Sequence, residues 1–366
     1  MTHDGRPVRK ERLLIYRLGS IGDTMVALPA LKLIARRFPD AERVLLTNEA
    51  PANGASMATL LAGSGLVDHC ITYKPGERRP GVLARLAGSI RALRADRLIY
   101  LTEPKGGLAT WRDVAFFRAC GITRIIGAPL SRDMRTHRPS PDGERLESEG
   151  ARLARCIAAL GDARLDDAES WRPFLGDDDK ARADRILDGW NGAASFIALA
   201  VGARVPAKDW GEDRWAALID GLEERCPGIG LMLVGGPADR DRAKRLIANR
   251  RLPVLDRCGE DLRVTMALLR HARLAVTSDG GPMHIAAGLG VPVVAVFSGD
   301  QPPGVWFPAG KGHVVFHPAT VFHPATGDPA SVHARGRRCG TGSIRAVMPD
   351  MVLDACLDHL PAPHAC

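Results

Sequence analysis

Short apolar runs alternate along the chain with longer stretches whose apolar positions recur at helical spacing. In the first half "RLLIYRL", "RVLLTN" and "RLIYLTE" read as strands, each bounded by charged or turn-forming residues. "DTMVALPALKLIARRF", "GVLARLAGSIRALRA" and "WRDVAFFRAC" read as helices. In the first of these Met25, Leu28, Leu31, Leu33, Ile34 and Phe38 form one apolar stripe. Pro29 lies within it and predicts either a bend or a place near the first helical turn. In the second half "SFIALAVGA", "GIGLMLVGG", "RLAVTSDGG" and "VPVVAVFSG" all end in glycine, and most lead into a helical pattern. Strands and helices that alternate in this way predict parallel sheets covered by helices. Pro173, Gly176 and three successive aspartates break the pattern at "ESWRPFLGDDDKARADR". The expected fold class is therefore α/β, with two Rossmann-like domains over 1–172 and 173–345. A closing amphipathic helix and tail occupy 346–366. The tandem "VFHPATVFHPAT" (Val315 to Thr326) is a local duplication, too short to be a repeat architecture.

Composition narrows the function classes. With 45% hydrophobic and 25% charged residues, 366 residues can bury two ordinary cores. The N-terminal "MTHDGRPVRKERLL" is polar and basic, and the greasiest stretch, His284 to Phe297, is interrupted by Gly288, Gly290 and Pro292. Neither suits a signal peptide or a membrane span, so a cytoplasmic protein is expected. The eight cysteines are scattered with no C-x-x-C pair, which argues against a disulfide framework or zinc site. Residues 1–175 hold 28 Lys and Arg against 20 Asp and Glu, whereas 176–366 hold 22 of each. The net charge of +8 thus lies wholly in the first half, and suggests a polyanionic partner that meets one domain. A solvated Arg-rich surface would produce the same excess. Nucleic acid is disfavoured as that partner, because only 5% of residues are aromatic and no stacking stripe appears.

The chemistry-bearing residues cluster at glycine turns. "VTSDGGPMHIAAGLGVPVVAVF" (276–297) ends a strand at Ser278 and Asp279, turns at Gly280 and Gly281, and starts a helix at Pro282, a residue suited to a first turn. Free amides from 280 to 284 and the helix dipole there predict a pyrophosphate site, which nominates Asp279, Gly280, Gly281, Pro282, Met283 and His284. Asp279 could equally cap the helix, and His284 could simply pack. In "AVGARVPAKDW" Gly202 marks another turn, and Lys208 offers a point charge to an anion. Near the start, "LLIYRLGSIGDTMVALP" sets Gly19, Ser20 and Gly22 around Asp23, a carboxylate where a phosphate cradle would be expected. Asp23 is either a helix cap or a chemical group. No G-x-G-x-x-G with a following acid and no G-x-x-x-x-G-K-[ST] occurs, which weakens nicotinamide and P-loop readings. His313, His317, His323 and His333 lack a matching carboxylate set, so no metal site is expected.

"RLGSIGDTMVALPALKLI", "VGARVPAKDW" and "SDGGPMHIAAGLGVPVVAVF", in this order, resemble glycosyltransferase family 9, the ADP-heptose:lipopolysaccharide heptosyltransferases and their relatives. The likeness extends through "GRRCGTGSIRAVMPDMVLDACLDHL" near the end. It implies a GT-B fold, two Rossmann-like domains facing across a cleft, with acceptor bound by the first domain and nucleotide-sugar by the second. It implies inverting, metal-independent sugar transfer from a nucleotide-sugar, ADP-heptose, to an anionic lipopolysaccharide-type acceptor, at the cytosolic face of the inner membrane and in peripheral contact with it. By the same resemblance Asp23 takes the place of the general base, with Gly19, Ser20 and Gly22 beside the acceptor. Lys208 and the 280–284 amides would steady the leaving diphosphate. "LTEPKGG" (101–107) stands where relatives often carry an Asp/Gln-Gly turn, so Glu103 and Lys105 are expected to recognise a different acceptor. Asp239, in "GGPADRD", is a candidate for the ribose contact. A relative using another nucleotide-sugar on a surface glycan or protein, and a non-catalytic nucleotide-sugar-binding protein, are the alternatives.

Overall fold

The structure, a computed structural model, describes residues 9–49, 55–77, 79–140, 143–190, 195–318, 320–322 and 342–360. These fall into two units. The first runs to Arg138 and includes Glu147–Ser170; the second takes Pro139–Leu146 and everything from Trp171 onward. Leu146 joins the second unit by donating its amide to the Pro303 carbonyl at 2.9 Å.

The first unit holds five parallel strands: β1 (Arg12–Tyr16), β2 (Glu42–Asn48), β3 (His69–Tyr73), β4 (Arg97–Tyr100) and β5 (Ile125–Ile126). Their order is β3-β2-β1-β4-β5. Helices α1 (Ile21–Arg37), α2 (Met57–Leu61), α3 (Pro80–Leu93), α4 (Gly107–Ala119), α5 (Arg132–Arg135), α6 (Glu149–Cys156) and α7 (Ala168–Trp171) surround the sheet. Leu13, Leu14 and Ile15 are wholly buried, as expected of a strand with neighbours on both edges and cover on both faces. On one face Leu14, Tyr16 and Leu98 share a core with Leu86 and Ile90 of α3 and Val114 and Phe117 of α4. Helix α1 runs on through Pro29 without ending there. The edge strand β3 was not among the strands expected, because "HCITY" is largely exposed and lacks a buried apolar run.

The second unit repeats the plan with α8 (Asp177–Asp188), β6 (Phe196–Ala200), α9 (Glu212–Arg225), β7 (Gly230–Gly235), α10 (Arg240–Ile247) and β8 (Val254–Cys258). Then follow α11 (Leu262–Leu269), β9 (Leu274–Ser278), α12 (Gly281–Gly288), β10 (Val293–Val296), β11 (Val314–His317), β12 (Thr320–Phe322) and α13 (Pro349–Leu357). The sheet order is β12-β11-β10-β9-β6-β7-β8, parallel except for β12 at the edge. Its core includes Trp210 and Trp215, whose rings meet edge-on at 4.9 Å, and Trp210 Nε1 donates to the Val347 carbonyl just before α13. The tandem segment pairs with itself: Val315 lies opposite Phe322 and Phe316 opposite Val321. Within it, residues 319 and 323–326 lie outside the described residues.

Candidate functional site

In each sheet the direction of strand succession reverses at one gap: between β1 and β4 in the first unit, and between β6 and β9 in the second. At such a gap the two flanking loops leave in opposite directions and open a crevice at the carboxyl ends of the strands, where α/β folds bind ligands. The loops at the first gap carry Gly19, Ser20 and Asp23 on one side and Glu103 and Lys105 on the other. Those at the second carry Gly202 and Lys208, then Asp279 to Gly281.

In the first unit Asp23 closes a capping box. Its Oδ2 accepts from the Ser20 amide at 2.5 Å and from Ser20 Oγ at 2.6 Å, and Ser20 Oγ receives the Asp23 amide. The cap reading is therefore realised, and the same carboxylate keeps Oδ1 outside the box. Gly19 makes this possible. Its φ is +139°, and a β-carbon there would come within 2.5 Å of Asp23 Cβ and Cγ. Asn48, at the end of β2, pins Gly19 by donating Nδ2 to its carbonyl at 2.8 Å and accepting its amide at 3.1 Å. Gly22 is buried in the first turn of α1, so its contribution is to packing at the helix start.

Beneath Asp23 lies a network that local sequence patterns did not disclose. Arg17 is wholly buried; it donates to the Leu101 carbonyl at 2.6 Å and to the Asp23 carbonyl, and its guanidinium lies 3.6 Å from Asp23 Oδ1. On its other side Glu149 Oε1 is 4.0 Å away. Arg152 grips Glu149 through two bonds of 2.6 Å and donates to the Thr102 carbonyl, while His137 meets Glu149 Oε2 at 3.0 Å. Two guanidiniums and two carboxylates balance in charge, which makes their burial tolerable. Burial pushes the Glu149 carboxyl up, but the bonds from Arg152 and His137 and the charges of Arg152 and Arg17 outweigh it and hold it below the usual carboxylate range. Solvent reaches Glu103, yet the protein packed around its carboxyl raises its pKa. The charges of Asp23 and Glu149 raise it further, against Arg17 and Arg152. Lys105 is exposed beside it.

In the second unit Lys208 Nζ lies 2.5 Å from Asp279 Oδ2, and the Asp279 side chain is almost fully buried. Asp279 thus does not cap α12, as one of its two expected roles had it; Gly280 occupies the N-cap position, and no side chain caps that end. The amides of the first helical turn have no acceptor within the helix itself, so they present a local excess of positive charge. Pro282 has no amide to add. Met283 is wholly buried and could meet a ligand only through its backbone, and His284 is buried with its ring edge-on to Trp306 at 6.4 Å. Gly202 is required by Asp239 rather than by a turn of its own: a β-carbon at Gly202 would stand 2.1 Å from Asp239 Oδ2. Asp239 Oδ2 accepts the Gly236 amide at 2.7 Å, which sets that carboxylate between the ends of β6 and β7.

Two of the histidines have structural partners. His313 accepts the Val293 amide on Nδ1 and lies 3.0 Å from the Ala309 carbonyl through Nε2; burial first of all pushes its pKa down to about 4. His317 Nε2 meets the Gln301 carbonyl at 3.0 Å. His323 and His333 lie outside the described residues. Among the described residues no three His, Cys, Asp or Glu side chains form a metal-binding group, and no helix is long and apolar enough to cross a membrane.

Residues 162–322 match the sequence model of glycosyltransferase family 9 (heptosyltransferase). Lipopolysaccharide heptosyltransferase 3 of Escherichia coli is 28% identical over 186 residues, 49% of this chain and 51% of that protein, so the match spans about half the length of each. A glycosyltransferase family 9 structure from Veillonella parvula superposes with a TM-score of 0.71 at 17% identity, covering 97% of this chain and 98% of that one. The E. coli ADP-heptose lipopolysaccharide heptosyltransferase II does so with a TM-score of 0.63 at 19% identity, over 95% and 98%. The resemblance to family 9 read from the motifs therefore holds. The solved structures establish the fold, the α/β class with two parallel sheets found in GT-B glycosyltransferases.

Proposed function

We propose that this chain is a glycosyltransferase that moves a heptose, or a closely related sugar, from an ADP-linked donor to the core of a lipopolysaccharide-type acceptor. The observation that carries the reading is the pairing of Lys208 with Asp279 beside the uncapped start of α12, at the strand gap of the second unit. A fixed cation and a turn of open amides form a site for a nucleoside diphosphate. The leaving group of sugar transfer is such a diphosphate, and charge develops on it as the glycosidic bond breaks. The family match over 162–322 covers this same site.

On this reading the donor diphosphate is held by Lys208 and the amides of Gly281 and Met283. Asp23 takes the proton from the acceptor hydroxyl as its oxygen attacks the anomeric carbon. Displacement by a neutral hydroxyl with a base on its side inverts the anomeric centre, and the chain's own groups supply both the base and the electrophilic help without a metal. The Ser20 bonds orient the Asp23 carboxylate, and Arg17 fixes the backbone that carries it. Glu103 and Lys105, at the other side of the gap, recognise the acceptor. The reaction would take place at the cytosolic face of the inner membrane.

The test is a thermal-shift panel of ADP, UDP, GDP, CMP and NAD, with Lys208→Ala alongside. A ligand at about 100 times its Kd adds about 2.7 kcal/mol. Stabilisation by ADP alone, lost in the variant, is the expected result. Stabilisation by UDP or GDP instead would keep sugar transfer and change the donor. Indifference to every nucleotide would remove the reading.

A further inference from the structure

The loop that carries Lys208 faces outward. Residues 204–207 are exposed, and one tight helical turn, Pro206–Lys208, supplies its internal bonds. The Lys208 amide donates to the Val205 carbonyl at 2.9 Å, and the Asp209 amide to the Pro206 carbonyl at 3.1 Å. Bonds inside a turn fix its shape but not its place on the sheet. Holding an exposed loop in one place opposes the conformational entropy of every residue in it, so a lysine set at a defined point needs a contact from outside the loop.

Arg242 of α10 makes that contact at both ends of the loop. Its Nη1 donates to the Val201 carbonyl at 2.9 Å, just past the end of β6 and one residue before Gly202. The same Nη1 donates to Asp209 Oδ1 at 2.9 Å, and Nη2 donates to Asp209 Oδ2 at 2.7 Å, one residue past Lys208. A single planar group thus bridges the flanks of residues 202–208 and ties both to a helix. Asp209 is itself oriented by the Gly211 amide, which donates to its Oδ1 at 3.1 Å, and Trp210 between them is wholly buried. Behind the guanidinium, Glu212 Oε2 lies 3.9 Å from Arg242 Nε, and Arg245 holds Glu212 through bonds of 2.7 and 2.8 Å. The Arg242 and Asp209 side chains are only 23% and 25% exposed, so solvent and salt screen the pair less than they would a surface pair. Two parallel bonds to one carboxylate, with a third to a carbonyl, form a geometry that arginine supplies and lysine does not.

We propose that Arg242 is a positioning residue: by clamping Val201 and Asp209 to α10 it sets where Lys208 Nζ stands beside Asp279. It acts through the lysine and not on the ligand. Without the clamp the loop keeps its internal turn but drifts over the strand ends, and the ammonium no longer waits at one point for an arriving anion. The inference deepens the proposed function and rests on it for the identity of that anion, a diphosphate. The clamp itself is a property of the chain alone.

The experiment has two arms, both on the full chain. The first uses no nucleotide: hydrogen exchange is followed by mass spectrometry in wild type, Arg242→Lys and Asp209→Asn. Arg242→Lys keeps the charge and the stem but loses the fork, and Asp209→Asn weakens the same clamp from its other side. Both should speed exchange across 202–211, Arg242→Lys by about tenfold, while peptides from α11 and β9 exchange as in wild type. The second arm measures ADP affinity by calorimetry as a double-mutant cycle. Arg242→Lys should weaken ADP binding about tenfold when Lys208 is present, and by less than about twofold in the Lys208→Ala background, where there is no ammonium left to place. Asp209→Asn should show the same dependence on Lys208 with a smaller amplitude. Wild-type exchange in both variants overturns the clamp. Equal loss of ADP affinity with and without Lys208 overturns the positioning role and makes Arg242 a ligand contact or a support for Asp239. A wild type that ignores ADP, with faster exchange confined to 202–211 in the variants, removes the proposed function and upholds the clamp.

Discussion

The two units share a strand plan but treat the start of a helix in opposite ways. At the first gap the protein fills the anion position itself: Asp23 bends back over Gly19 and saturates the Ser20 amide. At the second gap the comparable carboxylate, Asp279, is drawn aside to Lys208, and the first turn of α12 carries no side-chain cap. An occupied helix start repels a phosphate, and an open one attracts it. The same frame therefore yields a fixed carboxylate at the helix start in one unit and, on the proposed function, a site for an anion in the other. The two aspartates differ in place: Asp23 stands inside the first turn of α1 and reaches back to its cap, whereas Asp279 lies one residue before the cap of α12.

The comparison breaks most sharply at Asp23. Asp23→Asn keeps a side chain able to accept from Ser20 while removing the proposed base, so on that proposal turnover should fall by about 10²–10⁴ and ADP stabilisation should stay as in wild type. Equal loss of both in steady-state and thermal-shift assays would place the defect in folding. Next in size is the buried network behind it. Glu149→Gln leaves Arg17 and Arg152 short of a counter-charge and should cost about 3–5 kcal/mol in urea unfolding. The wild-type pH profile follows from the same group. Glu149 has a depressed pKa, so the stability it confers is present above the ordinary carboxylate range and lost as pH falls through its lower folded value. Glu149→Gln should flatten that acid limb.

Lys208→Ala comes third. Losing one charge-assisted contact to a diphosphate should weaken ADP binding about 10–100-fold by calorimetry, with the response of the first unit's site unaltered. Unchanged affinity would remove the phosphate role. Smallest is Gly202→Ala, whose methyl must push aside the Asp239 carboxylate and should cost about 1–3 kcal/mol in stability. If Asp239 meets the ribose, nucleosides as well as nucleotides should bind this variant less tightly.

What could be read from the sequence was what is local. The strand–glycine–helix turns were legible because each joins an apolar run to a helical period within a few residues, and both gaps in the sheets fall at those turns. Asp23, Lys208 and Asp279 stood out for the same reason. Arg17, Glu149 and Arg152 did not. An arginine at the end of a strand and an oppositely charged pair on a short helix look solvated until the fold brings β1, β4 and α6 together. Nor could spacing reveal that Lys208 would find Asp279, since the contact joins the ends of two strands 71 positions apart. β3 was missed because an exposed edge carries no burial pattern.

The pairing of Lys208 with Asp279 also bears on which anions this site admits. An arriving ligand must draw the lysine away from a carboxylate that is almost fully buried, and that buried carboxylate repels any negative charge brought near it. A singly charged ion exchanges one partner for another and gains little. A diphosphate has oxygens to spare for the open amides of α12 while it competes for the lysine. The pair therefore sets a threshold of valence: chloride or acetate at millimolar concentration should leave ADP binding unaltered, and pyrophosphate should compete with it.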